Sequence, residues 1–273
     1  MTKTGSGDLK YRKEEKPMEK WQELGEEFDR FLKLRTPPLG VKLLPQAEDA
    51  PDGTSPAGFP CAVCQATGIA RYYNRPVLIS KDDCWACQVG GRALGFFDLE
   101  EDMKTGERNP GLWGADAKAV AKLTEGDAID VGTFSAAITA PLAQMSLEPD
   151  LIMAYGTPDQ MLSLVYGTIW LGGDRVRLIT NGHGSTCREC IAAPYLHNEL
   201  RLAITDIGER KFSLAYDYEM VAGLPYGKFA QLIDGLRGAL TEGIYGRPTA
   251  VWGLQAWPEA ALHRAGLKAR FEK

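Results

Sequence analysis

Residues 61–92 run CAVCQATGIARYYNRPVLISKDDCWACQVGGR. Two Cys-x-x-Cys pairs, Cys61/Cys64 and Cys84/Cys87, bracket a helix-like segment, QATGIARYY, and a strand-like one, VLIS. A third pair, Cys187/Cys190, follows in GHGSTCREC, and the three pairs hold all six cysteines of the chain. Thiols scattered by chance would not sort this way. The pattern points to a metal or redox centre carried on an α/β framework.

Outward from that stretch, apolar spacing supplies the framework. Pro17 opens a helix over 17–35 that places Met18, Trp21, Leu24, Phe28 and Phe31 on one face. LGVKLLP (39–45) is a short buried strand, and 46–60 is a Pro/Asp/Gly/Ser loop. Residues 98–112 form a polar loop and 115–123 a helix; 133–142 and 150–156 are strands. Residues 158–170 form a helix with Pro158 at its first position, and Gly172-Gly173 is a C-cap turn. Further strands fall at 175–180, 201–205 and 211–216, with a helix starting at Cys187. The helix over 226–240 turns Phe229, Leu232, Ile233 and Leu236 inward.

The two halves resemble each other. Each runs strand, cysteine pair, helix, strand, and then a Gly-x-Arg segment and another helix. Cys61/Cys64 match Cys187/Cys190, the place of Cys87 falls to Asp206, and Arg92 matches Arg210. The expected class is α/β (α+β): two similar half-repeats related by a pseudo-twofold, a mixed sheet and flanking helices. Residues 1–16 are expected to be a disordered tail. The first half, with the N-terminal helix, spans 17–148, and the second spans 149–242. A Gly/Pro/Trp-rich extension, 243–273, carries an amphipathic segment at 259–271 that suits packing on the body or on a second copy in a homo-oligomer.

The totals exclude several classes. A chain of 273 residues can bury about three quarters of its unfolded surface, so its core does not need metal to fold. Its formal charge of −5 argues against a nucleic-acid partner. No run of eighteen apolar residues exists, so no membrane span is expected. The N-terminus lacks the apolar core of a signal peptide, which favours a cytoplasmic protein whose cysteines serve metal or redox chemistry.

Three chemistries compete for the thiols. An iron–sulfur cluster, most simply [4Fe–4S], uses all three pairs and the repeat. Zinc is the alternative, since Cys61-x2-Cys64-x19-Cys84-x2-Cys87 has the spacing of a closed four-thiolate site. That site, however, would have a helix and a strand between its pairs and would leave Cys187/Cys190 unused. Dithiol–disulfide exchange is third, because no pair stands alone in a thioredoxin-like context.

At this point the chain resembles the "domain of unknown function 169" proteins of anaerobic bacteria and archaea, over about residues 20–242. The resemblance rests on TPPLGVKLLP, CQVGGRALG, LEPDLIMAYGTPDQMLSLVYG, GSTCRECIAAPY and GERKFSLAYDYEMVAGLPYGKFAQLIDGL. It implies recurring cysteines at Cys64, Cys87 and Cys187, with a fourth in many members where this chain has Asp206. Cys61, Cys84 and Cys190 are then additions that turn single cysteines into pairs. Family membership supplies no reaction. If the three shared cysteines hold a cluster, Asp206 or water is the candidate for the fourth iron, and an iron-sulfur-dependent lyase or oxidoreductase becomes conceivable.

The candidate metal ligands are therefore Cys61, Cys64, Cys84, Cys87, Cys187 and Cys190. Candidate catalytic residues are His183, in a tight glycine loop, Asp206, and the matched Arg92 and Arg210, which could grip a carboxylate or simply anchor the fold. Arg71, Arg75, Lys81 and Arg188 lie near the thiols in sequence and favour an anionic ligand. Trp252 and Trp257 are packing residues. No P-loop, dinucleotide loop or Ser-His-Asp order is present. The partner is a small anionic or aromatic molecule for an enzyme, or a redox protein for an electron-transfer subunit.

Overall fold

The computed structural model describes residues 18–242. The expected N-terminal tail and the 243–273 extension, including Trp252, Trp257 and the amphipathic segment, lie outside the described residues.

The first half contains α1 (Lys20–Leu32), β1 (Leu39–Leu44), β2 (Ser55–Pro56), α2 (Val63–Tyr73), β3 (Val77–Ser80), α3 (Gln88–Ala93), α4 (Glu101–Lys104), α5 (Ala117–Thr124) and β4 (Ala136–Pro141). The second contains β5 (Leu151–Gly156), α6 (Pro158–Gly172), β6 (Arg177–Leu178), a π-helix (Ser185–Ala192), α7 (Ala193–His197), β7 (Arg201–Ile204), α8 (Ile207–Phe212), β8 (Met220–Pro225) and α9 (Phe229–Arg237).

All eight strands join one mixed sheet in the order β2-β3-β4-β1-β5-β8-β7-β6. The outermost pair at each edge, β2/β3 and β6/β7, is parallel and every other pair is antiparallel. Order and sense are thus the same from either end. The halves meet where β1 pairs with β5, Gly40 opposite Ile152. β4 and β5 are buried along their whole length, because central strands covered on both faces need near-continuous apolar runs.

Side-chain alternation sends Leu151, Met153 and Tyr155 to one face of β5 and Ile152 and Ala154 to the other. α1, α6 and α9 cover the second face. There Phe28 meets Phe229 edge to face at 5.4 Å, and removing either ring would cost about 3–5 kcal/mol. The four inward residues expected on α9 are all buried, as are Trp21 and Phe28 of α1, whereas Met18 is exposed and precedes the helix. α6 begins as its sequence predicts: Thr157 caps Gln160, Gln160 reciprocates, Pro158 follows the cap, and Gly173 closes the helix with φ +70°.

The first face carries α2, α3, α8 and the π-helix. Three local expectations change there. The segment 211–216 is not a strand: its first residues finish α8 and Leu214 turns left-handed, so the strand falls at Met220–Pro225. The helix from Cys187 is wound as a π-helix, with Glu189 N–H reaching back to the Gly184 carbonyl at 3.2 Å, a turn that recurs at functional sites. The polar loop 98–112 contains the short helix α4. The π-helix lies directly on β8 at Gly223, where a Cβ would sit 1.9 Å from the Cys190 carbonyl oxygen. No described helix is long and apolar enough to cross a membrane.

Candidate functional site

Four helices of the first face start at one cavity. Cys64 lies in the first turn of α2, Cys87 is the N-cap of α3, Cys187 lies in the first turn of the π-helix, and Asp206 is the N-cap of α8. All four residues line the same hollow of about 510 Å3, within the range of about 300–1,000 Å3 usual for small-molecule sites. Cys87 and Asp206 each stand at the N-cap position of a six-residue helix, and of the two only the Asp206 side chain bonds to the helix's first N–H groups.

The three lining thiols are mutual neighbours. Burial pushes Cys64 and Cys187 well above the usual thiol range, and for both the next contribution is the nearby Cys87. Cys87 is also raised by burial, but hydrogen bonds from the Gly90 and Val89 N–H groups to its sulfur work against this. The other three cysteines do not line the cavity. Cys61 and Cys84 are buried beside Cys87, with Cys61 N–H bonded to the Asp83 carbonyl at 3.0 Å. Burial, then Asp83 and Cys87, push Cys61 up to about 12. Cys190 points to the sheet, its thiol donating to the carbonyls of Val221 at 3.5 Å and Arg201 at 3.9 Å. Among the described residues, no three His, Cys, Asp or Glu side chains converge tightly enough to grip a single metal ion.

Asp206 is a clasp. Its Oδ2 accepts from the N–H of Gly184 and, at 2.8 Å, of Ser185; its Oδ1 accepts from Gly208 at 2.7 Å and Glu209 at 3.3 Å. Four donors fill the four lone-pair sites of a carboxylate. Burial raises its pKa, but the bonds from Glu209, Ser185, Gly184 and Gly208 outweigh that and hold it below the usual carboxylate range. Asp206 therefore ties the start of α8 to the start of the π-helix that carries Cys187.

Glu209 completes the box, accepting the Asp206 N–H at 2.5 Å on Oε2, while its Oε1 contacts Thr186 Oγ1. Thr186 meets the Tyr155 hydroxyl at 2.6 Å, Tyr155 meets Thr67 at 3.2 Å, and Thr67 donates to the Cys64 carbonyl at 2.7 Å. Each hydroxyl has one proton to give. Thr67 gives its own to the Cys64 carbonyl and Thr186 gives its own to Glu209, so the Tyr155 proton goes to the nearer Thr186. Burial, followed by the charge of Asp206, raises Glu209 to about 8, so at neutral pH the proton is present. A neutral carboxylic acid thus closes a buried chain joining the segments of Cys64 and Cys187.

His183 also lines the cavity, its ring stacked on Trp113 at 5.1 Å and 7° between planes. Burial lowers its pKa, and its buried Nδ1 has no hydrogen-bond partner. Neither of the paired arginines lines the cavity. Arg92 donates to the Ile129 carbonyl at 2.8 Å, and Arg210 donates to Thr205 and the Asp217 carbonyl. Both are anchors. Arg71 is locked to Glu219 at 2.7 Å under Tyr155, and Arg188 is buried, donating to three carbonyls at the end of α5. Among the described residues, the one arginine on the cavity is Arg108, which is bound to Asp102 and Glu100. Glu209, Thr186, Tyr155 and Trp113 were not expected from sequence. Only Glu209 had a signal, the Asp206-x-x-Glu209 spacing of a capping box.

A family model described as DUF169, uncharacterised ArCR, matches residues 27–235. The chain belongs to the DUF169 family. An uncharacterised protein of Methanocaldococcus jannaschii is 27% identical over 209 residues, covering 76% of this chain and 89% of its own. No solved structure matches the chain. The DUF169 match begins within α1 and ends within α9, and so takes in the whole sheet and all four cavity segments.

Proposed function

We propose that this DUF169 protein holds an iron–sulfur cluster, [4Fe–4S] in the simplest case, on Cys64, Cys87 and Cys187. One iron would face the cavity and a small anionic or aromatic molecule bound there. The observation that carries this is the meeting of three thiols, from three separate segments, at a single cavity of ligand size. A cluster lets each cysteine take a different iron, so it demands less convergence of the sulfurs than one ion does. Burial makes these thiols poor thiolates by themselves, and a bound metal supplies the positive charge that reverses this.

When bound, the group would supply a Lewis-acidic iron lacking a thiolate ligand, suited to a lyase or oxidoreductase. The chain's own contribution is positioning. Asp206 fixes the turn carrying Cys187, and its saturated oxygens suit it to that clasp better than to the fourth iron. The Glu209 chain ties that turn to Cys64, and His183 forms part of the cavity wall. The matching strand order of the two edges supports taking the halves as copies related by a pseudo-twofold axis, with Cys87 and Asp206 as counterparts. We place the protein in the cytoplasm, in anaerobic metabolism.

Anaerobic purification with iron, sulfide and zinc analysis tests the proposal. The expected result is brown protein with iron and sulfide, lost when Cys64, Cys87 or Cys187 is replaced by Ser. Colourless protein with stoichiometric zinc would overturn it. A cluster that responds to a partner protein but to no small molecule would instead mark an electron-transfer subunit.

A further inference from the structure

Two glutamines stand on the cavity wall, and each directly follows a proposed cluster cysteine: Gln65 after Cys64 in α2, and Gln88 after Cys87 at the start of α3. One bond orients each side chain. Gln65 Oε1 accepts the Ala62 N–H at 2.8 Å, and Gln88 Oε1 accepts the Glu100 N–H at 3.0 Å. An amide whose oxygen takes a backbone N–H has its NH2 end, with two donors, left over. Among the described residues neither nitrogen has a partner, and, unlike His183 Nδ1, neither is sealed from the accessible surface. The other polar groups of the wall are spent. The Asp206 and Glu209 oxygens are engaged within their own network, and Arg108 is held by two carboxylates. Arg188, which follows Cys187, is buried and donates to three carbonyls. Trp85, Leu112, Trp113 and Phe212 add flat apolar surface. The cavity thus sets unspent neutral donors beside apolar walls, with no unspent cation among the described residues. An uncharged acceptor complements that set; a carboxylate would lose its hydration with no opposite charge to replace it.

We infer that the cavity binds an uncharged aromatic carbonyl compound, whose carbonyl oxygen accepts from the side-chain N–H groups of Gln65 and Gln88. A carbonyl oxygen has two lone pairs and can take both bonds. This rests on the cavity being the substrate site proposed above, and it narrows that substrate to a ketone- or amide-like acceptor. The two glutamines are then binding residues that set specificity.

Three probes of similar shape separate the possibilities: acetophenone, which carries a neutral carbonyl; ethylbenzene, which has a CH2 in its place; and benzoate, which carries a charge. Titration calorimetry on the full chain, purified anaerobically, should show saturable acetophenone binding at least about fivefold tighter than either of the others, the low end for two satisfied hydrogen bonds. Gln65→Glu and Gln88→Glu each keep an oxygen for the backbone N–H and replace the free donor with an acceptor. Each should abolish the preference for acetophenone over ethylbenzene and leave ethylbenzene binding within about twofold, since that probe makes no hydrogen bond. A smaller preference in the unmodified protein, benzoate binding as tightly as acetophenone, or no saturable binding of any probe would each overturn the inference. So would a preference that survives either substitution in folded protein. Iron and sulfide are assayed on the same samples. Colourless protein that still prefers acetophenone sinks the cluster alone, and brown protein without that preference sinks this inference alone.

Discussion

Ser185 N–H donates to Asp206 Oδ2 at 2.8 Å, and through this bond one carboxylate caps two helices, one starting at Ser185 and the other at Ile207. The π-helix and α8 are each too short to hold their starts in place, so the clasp supplies what helix propensity does not. Removing it strands four N–H groups. Asp206→Ala should cost about 2–4 kcal/mol in urea unfolding. It should also speed the reaction of Cys187 with a thiol reagent in metal-free protein. An unchanged midpoint and unchanged Cys187 reactivity would show that the clasp does not position the thiol.

Glu209 gives a pH signature. Its carboxyl titrates at about 8 in the folded chain against an ordinary 4.5. The folded state therefore holds this proton more tightly than the unfolded state between those values. The stabilisation is complete below 4.5, declines as pH rises, and is gone once pH has passed through 8. Glu209→Gln keeps the size of the side chain and an amide oxygen to accept from the Asp206 N–H, the Thr186 hydroxyl can turn to accept its N–H, and it does not titrate. Its stability curve should lack that decline, so the wild type should lose on the order of 2–4 kcal/mol relative to it from pH 4.5 to pH 8. Asp206 acts in the opposite sense, since its lowered value makes its contribution fade only as pH falls below the usual carboxylate range. Parallel curves for wild type and Glu209→Gln would rule out a neutral Glu209.

The Arg71–Glu219 pair ties α2, in the first half, to the turn before β8 in the second, with both side chains buried. Glu219→Ala should cost about 3–5 kcal/mol, because it leaves a buried guanidinium uncompensated. Replacing both by Met should recover much of that loss. A double variant as unstable as the single one would place the loss elsewhere.

Cys190 separates packing from ligation. Its thiol faces β8 and bonds to two carbonyls. Cys190→Ala should lower stability by about 1–2 kcal/mol and leave iron content unchanged. Loss of iron in this variant would mean that the π-helix rewinds when metal binds.

Much of the frame was legible along the chain. β1, β5, α6 and α9 were readable because buried strands need apolar runs, and because amphipathic helices repeat apolar residues every three or four positions. The 211–216 segment misled because Phe212, Leu214 and Tyr216 alternate as a strand would; all three are exposed, and the Asp206–Glu209 box winds its start into α8.

By itself, then, the sequence determined the class of fold, the helix starts near which the cysteines fall, and the grouping of the cysteines in pairs, since these follow from local periodicity and short spacing. Which thiols face the cavity was decided only in three dimensions. Cys190 and Cys187 are three residues apart, yet one meets the sheet and the other the hollow, and that choice depends on how the π-helix seats against Gly223. The neutral Glu209, the saturated Asp206 and the unpartnered His183 nitrogen likewise depend on neighbours distant along the chain, because burial and hydrogen-bond counts are properties of the packed chain and not of any segment of it.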